Sequence, residues 1–174
     1  MAASRVFPYE VVKESPLEGL GEIRSILLEE LERITEPLGM HVVELSVFRG
    51  KSGLNIRAVI YREGGVTLDD CERVTKLYND RLTILEPIDE NNYTLQVSSP
   101  GIYRVFKDIK EYTIFRSRHV KMVVDEPFEE SDGGVLRGFL GDLKNDRVAL
   151  VPDGDPGKTL SISLGSIRKI QLDG

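Results

Sequence analysis

The stretch LQVSSPGIYRVFKD, residues 95–108, leaves an alternating strand, turns through Ser-Pro-Gly and runs on into mixed apolar and basic residues. The residues before it read as mixed helix and strand and those after it as a short helix and then all-β, so this corner decides the fold. Pro100 biases Ser99 toward extended backbone. Pro-Gly suits the two central positions of a type II turn, the second of which needs a positive φ. Three readings are open: an active-site loop, a nucleic-acid contact, or a joint between two structural units.

On the N-terminal side of the corner, Tyr93, Leu95 and Val97 alternate as a strand. Before them GGVTLDDCERV, residues 64–74, predicts a helix start. Gly64 and Gly65 supply a flexible turn and Thr67 is a good N-cap. Asp69 and Asp70 fall in the first turn, where carboxylates accept orphan N–H groups and favour the positive end of the helix dipole. Cys71, Val74, Tyr78 and Leu82, with Leu77 beside them, form the apolar face. Further upstream, Val43, Leu45 and Val47 alternate, RGKSG turns the chain, and Leu54, Ile56, Ala58 and Ile60 return as a hairpin. Ile23, Ile26, Leu27, Leu31, Ile34 and Leu38 recur at helical spacing from about Glu22, closed by Pro37 and Gly39. SPLE at 15–18 offers Ser15 as a cap and Pro16 at the first helical position, while residues 1–19 read as a flexible tail. The order helix, strand, strand, helix, strand predicts an α/β domain over 20–101.

Downstream, KDIKEYTIFRSR predicts a short helix with Ile109, Tyr112 and Phe115 facing inward, inside a linker segment spanning 102–118. Residues 119–174 then read as five short strands. Val120, Met122 and Val124 alternate before the acidic loop DEPFEESDGG, and Leu136, Gly138 and Leu140 before a turn at Asn145-Asp146. RVALV, the alternation Leu160, Ile162, Leu164, and GSIRKIQL complete the set. Short strands with brief connections predict a small barrel of the SH3 or Sm type. The expected class is α+β in two domains.

Charge and composition narrow the function. The chain carries a net charge of −6 over 174 residues. An acidic protein is a poor general polyanion binder, because phosphate binding draws on Lys and Arg. It suits a basic partner better. Residues 99–118 are the exception, with five Lys/Arg against two Asp/Glu, a local +3. No apolar run is long enough to span a membrane and no signal peptide is read, so a cytoplasmic location is expected. A single Cys71 and two widely separated histidines, His41 and His119, give no metal-ligand spacing, and no cofactor is expected. Ser98 and Ser99 lack the flanks of a nucleophile elbow, Asp69-Asp70 reads as capping rather than a catalytic pair, and REGGVTLDD lacks the Lys and spacing of a P-loop. Catalysis is not expected. Arg104, Lys107, Lys110, Arg116 and Arg118 read equally as a solvated face or as a patch for phosphate or an acidic partner.

GGVTLDDCERV, then YTLQVSSPG and a basic-apolar continuation, in this order and spacing, closely resembles the ribosome maturation factor RimP family. The resemblance covers roughly residues 20–174. It implies a KH-like N-terminal α/β domain joined to an SH3-like barrel. It also implies a non-catalytic factor for assembly of the small (30S) ribosomal subunit, binding the immature particle and a basic ribosomal protein of the decoding region. The acidic balance suits that protein, and the +3 segment suits a local contact with small-subunit rRNA. The matching positions are Gly64 to Cys71, then Ser98, Ser99, Pro100, Gly101 and Arg104. Where the family commonly has Leu-Asp-Arg-Pro-Leu, this chain has Ile102, Tyr103, Arg104, Val105 and Phe106. On this reading the contact residues are Ser98, Ser99, Pro100, Gly101, Arg104, Lys107, Arg116 and Arg118, with Gly64, Gly65, Thr67, Asp69 and Asp70 as a structural motif. Replacing Arg104 with Glu is then expected to weaken particle binding while both domains stay folded. A monomer is expected, with no membrane contact. The alternative is a general RNA-binding regulator using the KH-like domain, although the GXXG loop of such domains is missing.

Overall fold

The computed structural model describes residues 19–51, 53–85, 92–125 and 134–174. Except for Gly19, Asp125 and Gly134, the expected N-terminal tail with its Ser15 cap and the acidic loop at 125–134 lie outside the described residues. The protein is α+β, and it divides into two compact units at the bond between Pro100 and Gly101.

The first unit runs α1 (Leu20–Thr35), β1 (His41–Gly50), β2 (Gly53–Tyr61), α2 (Leu68–Leu82) and β3 (Tyr93–Ser98). The three strands lie in the order β1-β2-β3. β1 and β2 form an antiparallel hairpin, whereas β3 runs parallel to β2, because α2 carries the chain back before β3 begins. Both helices place one apolar stripe on the sheet. α2 buries Val74, Tyr78 and Leu82 at four-residue spacing, and α1 buries Leu27 and Leu31. They meet Val42, Leu45, Val47, Ile56, Ala58 and Ile60 in one core. Ile26 and Leu77, expected to face inward, are 41% and 40% exposed. Each precedes a core residue by one position, which turns it about 100° away from the stripe.

Two polar contacts tie the helices together. The Tyr78 hydroxyl donates to the Leu27 carbonyl at 2.7 Å, and burial, followed by the Glu30 charge, pushes its phenol well up. The Glu30 carboxylate receives Arg81 at 2.7 Å and Arg33 at 3.1 Å. A bulge in β1 pairs Val42 with Ile60 but Glu44 with Val59, and the extra residue lets both Val42 and Val43 be buried.

The second unit contains α3 (Lys110–Ile114), β4 (His119–Val124), β5 (Val135–Lys144), β6 (Arg147–Pro152), β7 (Leu160–Ser163) and β8 (Ile167–Leu172). Its strands form one antiparallel sheet in the order β7-β6-β5-β4-β8. Among the described residues no ladder joins β7 to β8. Asn145 and Asp146, with φ of 50° and 57°, make the tight β5–β6 hairpin that their residue types favour. At Gly138 the strands approach so closely that a Cβ would lie 2.1 Å from the Val151 carbonyl oxygen. Only glycine fits there.

Residues 102–118, read from the sequence as a linker, pack within this unit. Val105 bridges to Gln171, the Phe106 N–H donates to the Ile170 carbonyl at 3.0 Å, and the Leu172 N–H donates to the Arg104 carbonyl at 2.9 Å. The segment thereby satisfies backbone groups on the side of β8 away from β4. Phe106 packs on Phe115 and Tyr112 with ring centroids 5.1 and 5.4 Å apart. Ile109, expected inward with Tyr112 and Phe115, is instead 56% exposed. It precedes the first turn of α3 and falls off the buried side of that five-residue helix.

Candidate functional site

The two sequence motifs start from the same end of the first unit's sheet. β2 and β3 are parallel and Val59 pairs with Ser98, so the turn after β2 and the corner after β3 leave the sheet at the same end. At the first of these, Gly64 and Gly65 have φ of 87° and 95°, a conformation that side chains resist. The Gly65 N–H donates to the Arg62 carbonyl at 3.1 Å, and Arg62 Nε donates back to the Gly65 carbonyl at 3.1 Å. Thr67 then caps α2. Its Oγ1 accepts from the Asp70 N–H at 3.2 Å, while its own N–H donates to Asp70 Oδ2 at 2.9 Å. Arg62 closes the motif on Asp70 at 2.8 Å. The Thr67 backbone and hydroxyl bonds, helped by the Arg62 and Arg73 charges, hold the Asp70 carboxyl below its ordinary range. These groups are occupied with one another, and their product is a fixed helix start. Cys71 is half-buried on the next turn, where burial and the neighbouring Asp70 charge push its thiol up, away from the reactive thiolate.

At the second motif, Ser98 is half-buried at the end of β3, Ser99 is exposed, and Gly101 takes a φ of 74°. Pro100 closes the first unit and Gly101 opens the second.

Within the second unit, Arg104 is not a surface cation. Its side chain is 7% exposed and that of Glu111 is fully buried. The guanidinium donates from Nε to Oε2 at 2.6 Å and from Nη2 to Oε1 at 2.9 Å, and the Lys107 N–H adds a third donor to Glu111 at 3.0 Å. This two-pronged pair fastens the segment after the corner to α3. The expectation that Arg104→Glu leaves the fold intact fails on this geometry, because it sets a second carboxylate against a buried one. Among the other basic positions, Lys107 and Arg116 are exposed, Arg118 is half-buried, and Arg116 is engaged with Asp142 at 2.8 Å.

Sequence reading missed Glu111, whose only local signal is an acid beside the inward-facing Tyr112. It also missed Arg168 and Lys169, which lie in β8 and come beside the 105–109 segment only through the Val105–Gln171 bridge. A third omission is the setting of His119. Its Nε2 lies 2.8 Å from Asp153 Oδ1 and its Nδ1 lies 3.2 Å from the Asp173 carbonyl oxygen. Both neighbours are acceptors, so the arrangement favours the protonated ring, which can donate from both nitrogens. Burial lowers the imidazole pKa, but the Asp153 and Asp173 contacts outweigh it and the net shift is upward. Among the described residues no three His, Cys, Asp or Glu side chains are placed to hold a metal ion, and no helix is long and apolar enough to cross a membrane.

Taken together, these features define an α+β protein of two units whose motif residues serve a capped helix and a chain-redirecting corner. Residues 30–103 match the family model described as RimP N-terminal domain. The chain is also 30% identical over 145 residues to a protein of Borrelia garinii subsp. bavariensis named ribosome maturation factor RimP, covering 82% of this chain and 90% of that one. The chain belongs to the ribosome maturation factor RimP family.

Proposed function

We propose that the chain is a non-catalytic, monomeric cytoplasmic factor in assembly of the small (30S) ribosomal subunit, and that it binds the immature particle together with a basic ribosomal protein of the decoding region. The observation that carries this reading is the similarity to the Borrelia protein over nine-tenths of that protein's length. The αββαβ order of the first unit supports a KH-like domain, and the strand order β7-β6-β5-β4-β8 supports an SH3-like barrel in the second. The net charge of −6 supports a basic protein partner.

The corner Ser98–Gly101 and the basic positions Lys107, Arg116 and Arg118 remain the proposed contacts with the particle, including small-subunit rRNA. Arg104 is assigned to holding the second unit together. Sedimentation of extracts from a deletion strain tests the reading. Free subunits and precursor rRNA are expected to accumulate, with rescue by the wild-type chain and weaker rescue by Lys107→Glu/Arg116→Glu/Arg118→Glu. Normal mature subunits with no precursor rRNA would overturn it. Strong, steeply salt-dependent binding to naked RNA, without affinity for a basic ribosomal protein, would instead favour a general RNA-binding regulator.

A further inference from the structure

The second unit holds a recess of about 300 Å³ between the 105–112 segment and residues 164–170. Val105, Ile109, Leu164, Ile167 and Ile170 supply most of its aliphatic lining. Its lining includes Lys107, Arg168 and Lys169, all exposed, and one acid, Asp108, while a second acid, Asp125, pairs with Arg168. Val105 and Ile109 stand 40% and 56% exposed, so apolar surface reaches out between the cations.

Two observations say what this recess suits. Phe106 and Tyr112 contribute to the lining but are only 7% and 4% exposed, their rings engaged with each other. A nucleobase would find no open aromatic face to stack on, which is the usual basis of unpaired-base binding. An aliphatic recess at the small end of the ligand-pocket range suits one apolar amino-acid side chain. The rim also accepts carboxylates, since Arg168 already pairs with Asp125. From lining and charge together we infer that the recess is a docking site for a short acidic protein segment that inserts one Phe or Leu side chain and sets flanking carboxylates against Lys107, Arg168 and Lys169. This partner is opposite in charge to the basic protein proposed above, and Ile109 and Lys169 lie outside the proposed particle contacts, so substitutions there test this reading apart from that one.

Fluorescence anisotropy on the full chain tests it, using a labelled synthetic peptide with a central Phe flanked on each side by three Asp or Glu residues. Saturable binding is expected at low salt. Ile109→Glu, Lys169→Glu and replacement of the peptide's Phe by Ala should each weaken it at least about tenfold. Both protein substitutions are at exposed positions, and thermal melts matching wild type establish that they act on the surface. The inference is overturned if the Ala peptide binds equally well, if no saturation is reached at millimolar peptide, or if folded Ile109→Glu and Lys169→Glu chains both bind like wild type. It is also overturned if a uridine oligonucleotide displaces the peptide, binds more tightly and shows the same sensitivity to both substitutions, which would assign the recess to RNA.

Discussion

Arg104→Met isolates the buried ion pair of the second unit. The substitution keeps an unbranched side chain but removes the cation, leaving the fully buried Glu111 carboxylate with the Lys107 N–H at 3.0 Å in place of a two-pronged guanidinium. Breaking one side of such a pair costs about 3–5 kcal/mol, because a buried charge loses its compensation. That is a large part of the ~5–15 kcal/mol by which a domain is stable. For a unit of this size each kcal/mol shifts Tm by roughly 4–8 °C, so the drop should be on the order of 15 °C or more. Circular dichroism melts of the full chain would show it as an early transition of the second unit, with the first unit's transition unmoved. The paired replacement Arg104→Met/Glu111→Leu supplies the control. It removes both charges at similar volume and should recover most of the loss. If Arg104→Met melts within about 1 kcal/mol of wild type, or the double variant is worse than either single one, the pair does not hold this segment as argued.

Other contacts predict three further outcomes. Asp70→Asn should flatten the acid limb of the stability curve. The folded Asp70 pKa lies below its ordinary 3.8, so its stabilisation is present above that value and is lost as pH falls through the folded one, as acid melts of the two chains would show. His119 has the opposite sign. Its folded pKa lies above the ordinary 6.5, so its stabilisation is full below that value and is lost as pH rises through the folded one. His119→Gln should therefore remove a pH-dependent step in second-unit melting, and an unchanged pH profile would discard the role given to Asp153 and Asp173. Gly138→Ala should separate β5 from β6, since its Cβ would meet the Val151 carbonyl at 2.1 Å, and should cost about 3 kcal/mol or more by urea unfolding.

Much of the fold was legible because its cores announce themselves by period. Val74, Tyr78 and Leu82 repeat at the helical spacing, and Ile56, Ala58 and Ile60 at the strand spacing. The turn chemistry of Gly64, Gly65 and Thr67 marks where α2 starts. The illegible parts depend on partners distant in sequence or on the angular width of a face. Arg104 reads as one basic residue among five, and nothing local says that its partner lies seven residues on in a buried turn. Ile109 looks apolar and therefore inward, yet α3 is too short to bury a full stripe. Arg168 and Lys169 join Lys107 at one rim only because an antiparallel bridge brings residue 105 beside residue 171, a pairing no local pattern encodes.

The segment laid along β8 also determines where the chain can be divided. By strand pattern alone the all-β part starts at His119, and a fragment cut there would look complete in a drawing of the sheet. It would lack Phe106, Tyr112 and Phe115, all buried, and would forfeit the backbone bonds that residues 102–106 make to the last strand. Such a fragment would expose a row of unpaired backbone groups beside an emptied apolar surface, the two ingredients of strand-to-strand aggregation. A piece that keeps these contacts begins at Gly101, where the chain passes from one compact unit to the other, so the Ser-Pro-Gly corner is also the place to make the cut.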